Sequence, residues 1–377
     1  MDKVVFSSTV AISLAQFCKG AMHDMSSNYE VIAISSPDEF STDLDAMDEV
    51  RYIPIEMARR ISPFSDLRSL ARLVAVLRRE RPKMIHSITP KAGLLCMMAG
   101  WMARVPVRIH TFTGLVFPTS QGVKRRLLML TDSITCRCAT HIICEGHGVL
   151  HDLSSFGITR KPLRVLGHGN LRGVDMEKFS RRPEVEVIAK KIRRKDVFTF
   201  LYMGRIVRDK GINELCAAFE RLYSEIGGIR LLMVGWTEDD LDPVSETASR
   251  MIATHPAVET VDFQTGDSLV AYYAASDCYV LPSYREGFPN TVIEAGAMGL
   301  PSVVTDVNGS REIVVEGENG TIVPPHDTDA LYAAMKRIVT DKEAYAHMAS
   351  NARRMVGERF EQGYVRRCLM QFYSEIL

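Results

Sequence analysis

Two glutamates with seven residues between them, Glu286 and Glu294, stand in the stretch CYVLPSYREGFPNTVIEAGAMGLP, residues 278–301. Cys278 to Leu281 is a short apolar run and predicts a buried strand. Pro282, Ser283 and Tyr284 end that run, and Arg285-Glu286-Gly287-Phe288-Pro289 makes a turn. Pro289 takes a first-turn position in a helix that continues through Asn290, Thr291 and Glu294. A strand feeding a helix through a glycine-containing turn leaves backbone N–H groups at the helix start, a site suited to phosphate. Carboxylates would repel that phosphate, but they can accept hydrogen bonds from hydroxyls on either side of it. A molecule with hydroxyl-bearing rings flanking a diphosphate is a nucleotide sugar. Taken alone, the two glutamates also fit an ordinary strand–loop–helix with solvated carboxylates.

A second segment supplies the opposite charge. Met203-Gly204-Arg205-Ile206-Val207-Arg208-Asp209-Lys210-Gly211 closes another apolar run. Gly204 lets backbone come close to a ligand, and Arg205 with Lys210 offers two cations at the C-terminal edge of a strand, where ligands bind in open α/β sheets. Two cations there can neutralise a diphosphate leaving group without a metal ion; taken alone, the segment is also a plain charged loop. The acidic run Glu238-Asp239-Asp240-Leu241-Asp242 contains Asp-Leu-Asp, superficially a metal-binding pattern. It reads as a solvated loop, and no metal is expected.

Glu-Gly-Phe-Pro-Asn, Glu-Ala, Gly-Leu-Pro, Thr305-Asp306 and Gly309 with Glu312, together with Gly-Arg-x-x-x-x-Lys-Gly at 204–211, resemble the donor site of retaining family 4 glycosyltransferases. The resemblance covers most of the chain. His86-Ser87-Ile88-Thr89-Pro90-Lys91-Ala92-Gly93 is similar to a segment of enzymes that extend lipid-linked bacterial saccharides. Gly173-Val174-Asp175 resembles the interdomain segment, and Val323-Pro324-Pro325 with Asp327 the segment after the donor site. The resemblance implies the GT-B fold: α/β, two Rossmann-like domains facing across a cleft, the donor bound mostly by the second. It places Arg205 and Lys210 on the diphosphate, Glu286 on the transferred sugar and Glu294 on the ribose. Gly204, Gly287, Phe288 and Pro289 would line the donor, with Asn290 and Thr291 presenting backbone N–H groups to phosphate. The donor is a substrate, a UDP-sugar being favoured, and no cofactor is expected. Two positions depart from the pattern. Ser7-Ser8-Thr9 occupies a loop that is often glycine-rich, and Thr113 stands where a histidine is common, which leaves His110 as the candidate catalytic histidine.

The elements that must position these residues follow from hydrophobic patterning. Apolar runs at 4–6, 31–34, 51–54, 84–86, 107–111 and 141–144 predict strands, alternating with helices at 11–25, 67–79, 90–103 and 124–139. Residues 169–196 carry Pro183 and a charged cluster and read as a domain junction. Strands then resume at 198–203, 230–234, 257–263, 278–281 and 301–305, with helices at 328–340, 342–359 and 364–376. Domains at 1–175 and 176–357 are expected, with 358–377 a helix packing back on the first.

With 377 residues, 46% hydrophobic and 24% charged, the chain has an ordinary globular composition. Its formal charge is zero, yet fifteen Lys and Arg between Arg51 and Arg126 face only Glu56, Asp66 and Glu80, a local balance of +12. Arg59, Arg60, Arg68, Arg72, Arg78, Arg79, Arg81 and Lys83 cluster on one helix and its flanks, and Lys124, Arg125 and Arg126 on another. Beside the apolar stripe Leu67, Leu70, Val74 and Leu77, this predicts peripheral docking on an anionic membrane, although the stripe also fits packing on a sheet. The eight cysteines lack Cys-x-x-Cys spacing and read as buried thiols. Neither a leader nor a membrane span is expected, which places the chain in the cytoplasm, at the inner membrane face. The expected partners are a nucleotide-sugar donor and a lipid-linked saccharide acceptor, without nucleic acid. A non-catalytic nucleotide-sugar-binding protein and a nucleotide-sugar epimerase on the same architecture are the alternatives.

Overall fold

The computed structural model describes residues 1–58, 62–238 and 242–377. The chain forms two compact units, Met1–Arg172 with Gly363–Leu377, and Gly173–Gln362. In the first, β1 (Lys3–Val10), β2 (Glu30–Ser36), β3 (Val50–Pro54), β4 (Met84–Ile88), β5 (Val107–Phe112), β6 (His141–Cys144) and β7 (Leu163–Arg164) build a parallel sheet in the order β3-β2-β1-β4-β5-β6-β7. In the second, β8 (Phe198–Met203), β9 (Ile229–Val234), β10 (Val258–Val261), β11 (Cys278–Leu281), β12 (Ser302–Thr305) and β13 (Gly320–Val323) pair in the order β10-β9-β8-β11-β12-β13. The order reverses between β1 and β4, and again between β8 and β11. Those reversals are the switch points at which open parallel sheets bind ligands.

The central strands are buried along their length, β4 and β9 at every residue. In the first unit the period of two divides the core: Val5, Ile32 and Ile85 enter one layer, while Val4, Phe6, Val31 and Met84 enter the other. The helix Gln362–Ile376 completes that second layer with Leu369, Phe372 and Tyr373. His86 Nδ1 meets the Tyr373 hydroxyl at 2.5 Å, and its Nε2 meets Thr111 Oγ1 at 2.7 Å.

Several elements differ from their sequence signals. The helix expected over 11–25 is two, Ala11–Phe17 and Lys19–Ser26, divided at Cys18. The junction contains a helix, Pro183–Ile192, with proline at its start, acidic residues in its first turn and lysines in its last. The helix Pro63–Glu80 buries Leu73, Val74 and Leu77, so the expected stripe is largely a core contact, whereas Phe64 and Leu67 stand 91% and 66% exposed. Part of the basic excess is also neutralised from outside the segment, Glu30 pairing with Arg51 at 2.9 Å and Asp2 with Lys83 at 3.6 Å. Glu80 gathers Lys3, Arg51 and Arg79 within 3.0 Å, led by Arg51, and they hold its carboxyl well below the ordinary range. Arg59 and Arg60 lie outside the described residues.

Burial pushes His86 and His110 down from 6.5 to about 3. Below pH 6.5 the unfolded chain therefore binds protons that the folded chain refuses, and stability falls as pH drops toward 3. Urea unfolding at pH 7 and pH 5 should show a lower midpoint in acid, by about 2 kcal/mol per histidine. Equal midpoints would mean that these imidazoles protonate freely in the folded chain.

Candidate active site

The cation segment begins where β8 ends. Gly204 takes φ 147°, and its N–H donates to the Val234 carbonyl at 2.9 Å. Two residues on, the Ile206 N–H donates to the Trp236 carbonyl at 2.8 Å. The loops after β8 and β9 thus continue the ladder past their strands, and only glycine permits the contact: a Cβ at Gly235 would lie 1.9 Å from the Gly204 carbonyl oxygen. This zipper lays Arg205 beside Glu238, Nη1 donating to Oε2 at 2.6 Å, while the Tyr202 hydroxyl donates to the Arg205 carbonyl at 2.5 Å. Farther along, Arg208 Nε meets Asp242 Oδ1 at 3.1 Å and the Asp209 N–H donates to Asp242 Oδ2 at 2.7 Å.

Glu238 and Asp242, expected in a solvated loop, are therefore engaged residues instead. Both ends of the run pair with the cation segment, and its first residue follows β9 closely. Asp239, Asp240 and Leu241, with half of the Asp-Leu-Asp pattern, lie outside the described residues.

The carboxylate segment arrives from β11. Lys210 Nζ donates to Glu286 Oε1 at 2.6 Å, and Ser283 Oγ donates to the same oxygen at 2.6 Å. Gly211, at φ 71°, makes this approach possible, because a Cβ there would lie 2.0 Å from the Pro282 carbonyl oxygen. Asp209 ties the segments again, accepting from the Tyr284 N–H through its carbonyl and from Arg285 Nη2 through its carboxylate, both at 2.9 Å. Burial and the neighbouring Glu214 carboxylate push the Tyr284 phenol up.

Pro289 is the residue before the helix rather than its first, and Asn290–Ala297 forms the helix proper. Asn290 and Thr291 occupy its first turn, where backbone N–H groups point back past the helix start. The Tyr279 hydroxyl lies 2.7 Å from Thr291 Oγ1 and 3.2 Å from the Met203 carbonyl, linking that turn to the end of β8. Glu294 faces inward at 5% exposed, its Oε2 accepting from the Tyr273 hydroxyl at 2.9 Å. Gly287, Phe288 and Pro289 pack on Gly309, which at φ 72° offers no Cβ to push them away.

His110 stands apart, in the first unit. It is 1% exposed, its Nδ1 lies 2.9 Å from Ser87 Oγ, and a Cβ on Gly93 would come within 2.4 Å of its Cε1. The imidazole is thus enclosed between Ser87 and Gly93 within the first unit. Near it, Ser7, Ser8 and Thr9 belong to β1 itself, and the Thr9 N–H donates to Thr89 Oγ1 at 3.0 Å. Thr89 holds φ 70°, a strained conformation for a β-branched residue, just before the helix Pro90–Met102. Lys91, in that helix's first turn, pairs with Asp66 at 2.6 Å.

Comparison with known proteins decides the family. The model for glycosyl transferases group 1 matches residues 184–355, and that for the glycosyl transferase 4-like domain matches residues 23–169. A capsular polysaccharide biosynthesis glycosyltransferase of Staphylococcus aureus, CapM, is 31% identical over 353 residues, 93% of this chain and 91% of that one. The chain belongs to the family 4 glycosyltransferases. A UDP-Gal:alpha-D-GlcNAc-diphosphoundecaprenol alpha-1,3-galactosyltransferase of Escherichia coli is 27% identical over 325 residues, 83% of this chain and 81% of its own. The Anabaena protein HepE, crystallised with UDP-glucose, superposes with a TM-score of 0.81 over 100% of both chains at 18% identity, which shows the GT-B fold.

The packing at Gly309 generates a contrast. Gly317→Ala, at φ 77° with open space around it, should cost about 1 kcal/mol from backbone strain alone. Gly309→Ala also drives a methyl into the Gly287 carbonyl and should cost roughly 2 kcal/mol more. Denaturant unfolding of the two variants measures the difference; equal losses would mean that the 287–289 loop yields freely.

Proposed function

We propose that this glycosyltransferase moves a sugar from a nucleoside diphosphate, a UDP-sugar by preference, to a saccharide carried on a lipid diphosphate, in surface polysaccharide assembly. The observation that carries the reading is the 2.6 Å contact of Lys210 with Glu286. It brings the cation segment and the carboxylate segment to one edge of the second sheet, beside a helix start. A diphosphate bridging Arg205, Lys210 and the first turn at Asn290 and Thr291 would leave Glu286 to the transferred sugar and Glu294 to the ribose. The acceptor reading draws on the name of the Escherichia coli relative and on the segment 86–93, where Lys91 and a helix start stand at the switch point of the first sheet.

Retention of configuration follows from front-face displacement. The bond from the anomeric carbon to the departing phosphate oxygen breaks as the acceptor oxygen bonds on the same face. The acceptor proton passes to that phosphate oxygen, and Arg205 and Lys210 carry the charge that develops. His110 serves this scheme by filling the space under Gly93 and Ser87 rather than by touching substrate.

Membrane docking is the second part of the proposal. No helix among the described residues is long and apolar enough to cross a membrane. Phe64 and Leu67 nevertheless project beside Arg68 and Arg72, and Val123 beside Lys124, Arg125 and Arg126. Apolar tips among cations suit the interface of an anionic leaflet, each cation contributing about 1 kcal/mol.

Three experiments test these statements. UDP-, GDP- and ADP-sugars are compared by thermal shift, with the UDP-sugar expected to stabilise most. Arg205→Ala and Lys210→Ala should then lower turnover far more than the loss of an ion-pair partner lowers the unliganded melting temperature, and chelator should leave the wild type active. Metal-restored activity, or a sugar nucleotide altered without any acceptor, would overturn the reading. Co-sedimentation with anionic vesicles at low salt should exceed that with neutral ones and should weaken in Phe64→Ser/Leu67→Ser. Equal, negligible binding to both would remove the membrane from the account.

A further inference from the structure

The acidic loop after β9 stands outside the donor machinery that the sequence motifs describe, yet it is built into the site. The ladder extension through Gly204, Ile206 and Gly235 fixes its first residues, and Asp242 anchors its far end on Arg208 and the Asp209 N–H. Between those anchors Glu238 presents its carboxylate to Arg205 at 2.6 Å, the two side chains only 24% and 37% exposed. Lys210 faces Glu286 at the same distance. Two cations and two carboxylates sum to zero, so a diphosphate entering that quartet brings unbalanced negative charge to a partly shielded place.

One carboxylate must give way, and the two are not equivalent. Glu286 is bonded to Ser283 as well as to Lys210, and the proposed sugar hydroxyls would give it new partners. Glu238 is held among the described residues by a single side-chain bond, to Arg205. An anion on that guanidinium would press directly against it, a repulsion that low exposure strengthens.

We propose that Glu238 is a built-in counter-anion for Arg205. It competes with the phosphates of the donor, is displaced when they bind, and returns to Arg205 as the nucleoside diphosphate leaves. Its role is positioning and release, because it touches neither the sugar nor the acceptor. Such a residue weakens product binding and shortens the step that often limits turnover in closed sites. The inference rests on the donor reading above.

Isothermal titration of UDP, with GDP and ADP run in parallel, into the full chain distinguishes the two. Arg205→Ala should weaken the best-bound nucleotide; if it does not, the donor reading itself fails. Given that weakening, Glu238→Gln should bind the same nucleotide about tenfold more tightly and lose that gain in the double variant with Arg205→Ala. Its turnover should fall while inhibition by the released nucleotide tightens. Unchanged or weaker binding in Glu238→Gln would show that the carboxylate merely orients Arg205 and would overturn the inference. A gain that persists without Arg205 would overturn it too, by reducing the effect to general charge. The unliganded melting temperature of Glu238→Gln checks that the loop is still folded.

Discussion

Lys210 and Glu286 come from loops separated by most of the second sheet in sequence, and their 2.6 Å contact is shielded on both sides. Removing one partner of a shielded pair leaves the other charge uncompensated, at a cost of about 3–5 kcal/mol when burial is complete and less here. That penalty makes the two loops a single unit. Gly211 can approach Pro282 because it has no side chain, Asp209 can take two bonds from Tyr284 and Arg285, and Ser283 can add its hydroxyl. The rest of the site inherits this alignment, including the placement of Gly287, Phe288 and Pro289 between Gly309 and the helix start.

Charge compensation recurs through the chain. Glu80 gathers three cations, Lys91 takes Asp66, and Arg205 takes Glu238. Glu30 and Asp2, outside 51–126, pair with Arg51 and Lys83, so a sequence tally of +12 overstates the free charge there. The cations at the start of a helix, beside Phe64 and Leu67 or beside Val123, differ from Arg79 at the end of one, which pairs with Glu80.

Much of this was legible in the residues. Apolar runs located most strands, because buried parallel strands tolerate little polarity. The motif words located both loops of the site, because a glycine at a strand end and a proline at a helix start have few other uses. What was missed depended on partners distant in the chain. The acidic run looked solvated because Arg205 lies 33 residues before Glu238, and only the Gly235 that ends β9 hinted at a close backbone approach. The helix Pro183–Ile192 was hidden by its own charge, although its proline, early glutamates and late lysines are ordinary helix signals. The enclosure of His110 by Gly93 and Ser87 is likewise announced by no local pattern.

The helix Gln362–Ile376 belongs to the first unit, and Phe372 and Tyr373 lie in the same core layer as Val4 and Phe6. The second unit, by contrast, is one unbroken stretch of chain. During synthesis on the ribosome, that layer of the first sheet must therefore wait for the helix 362–376, which follows the whole second unit, before it can close. The intervening unit can fold as soon as it emerges. The order of synthesis and the order of completion are thus reversed, and the part of that layer reserved for Leu369, Phe372 and Tyr373 stays open to chaperones or to wrong partners while the second unit is made.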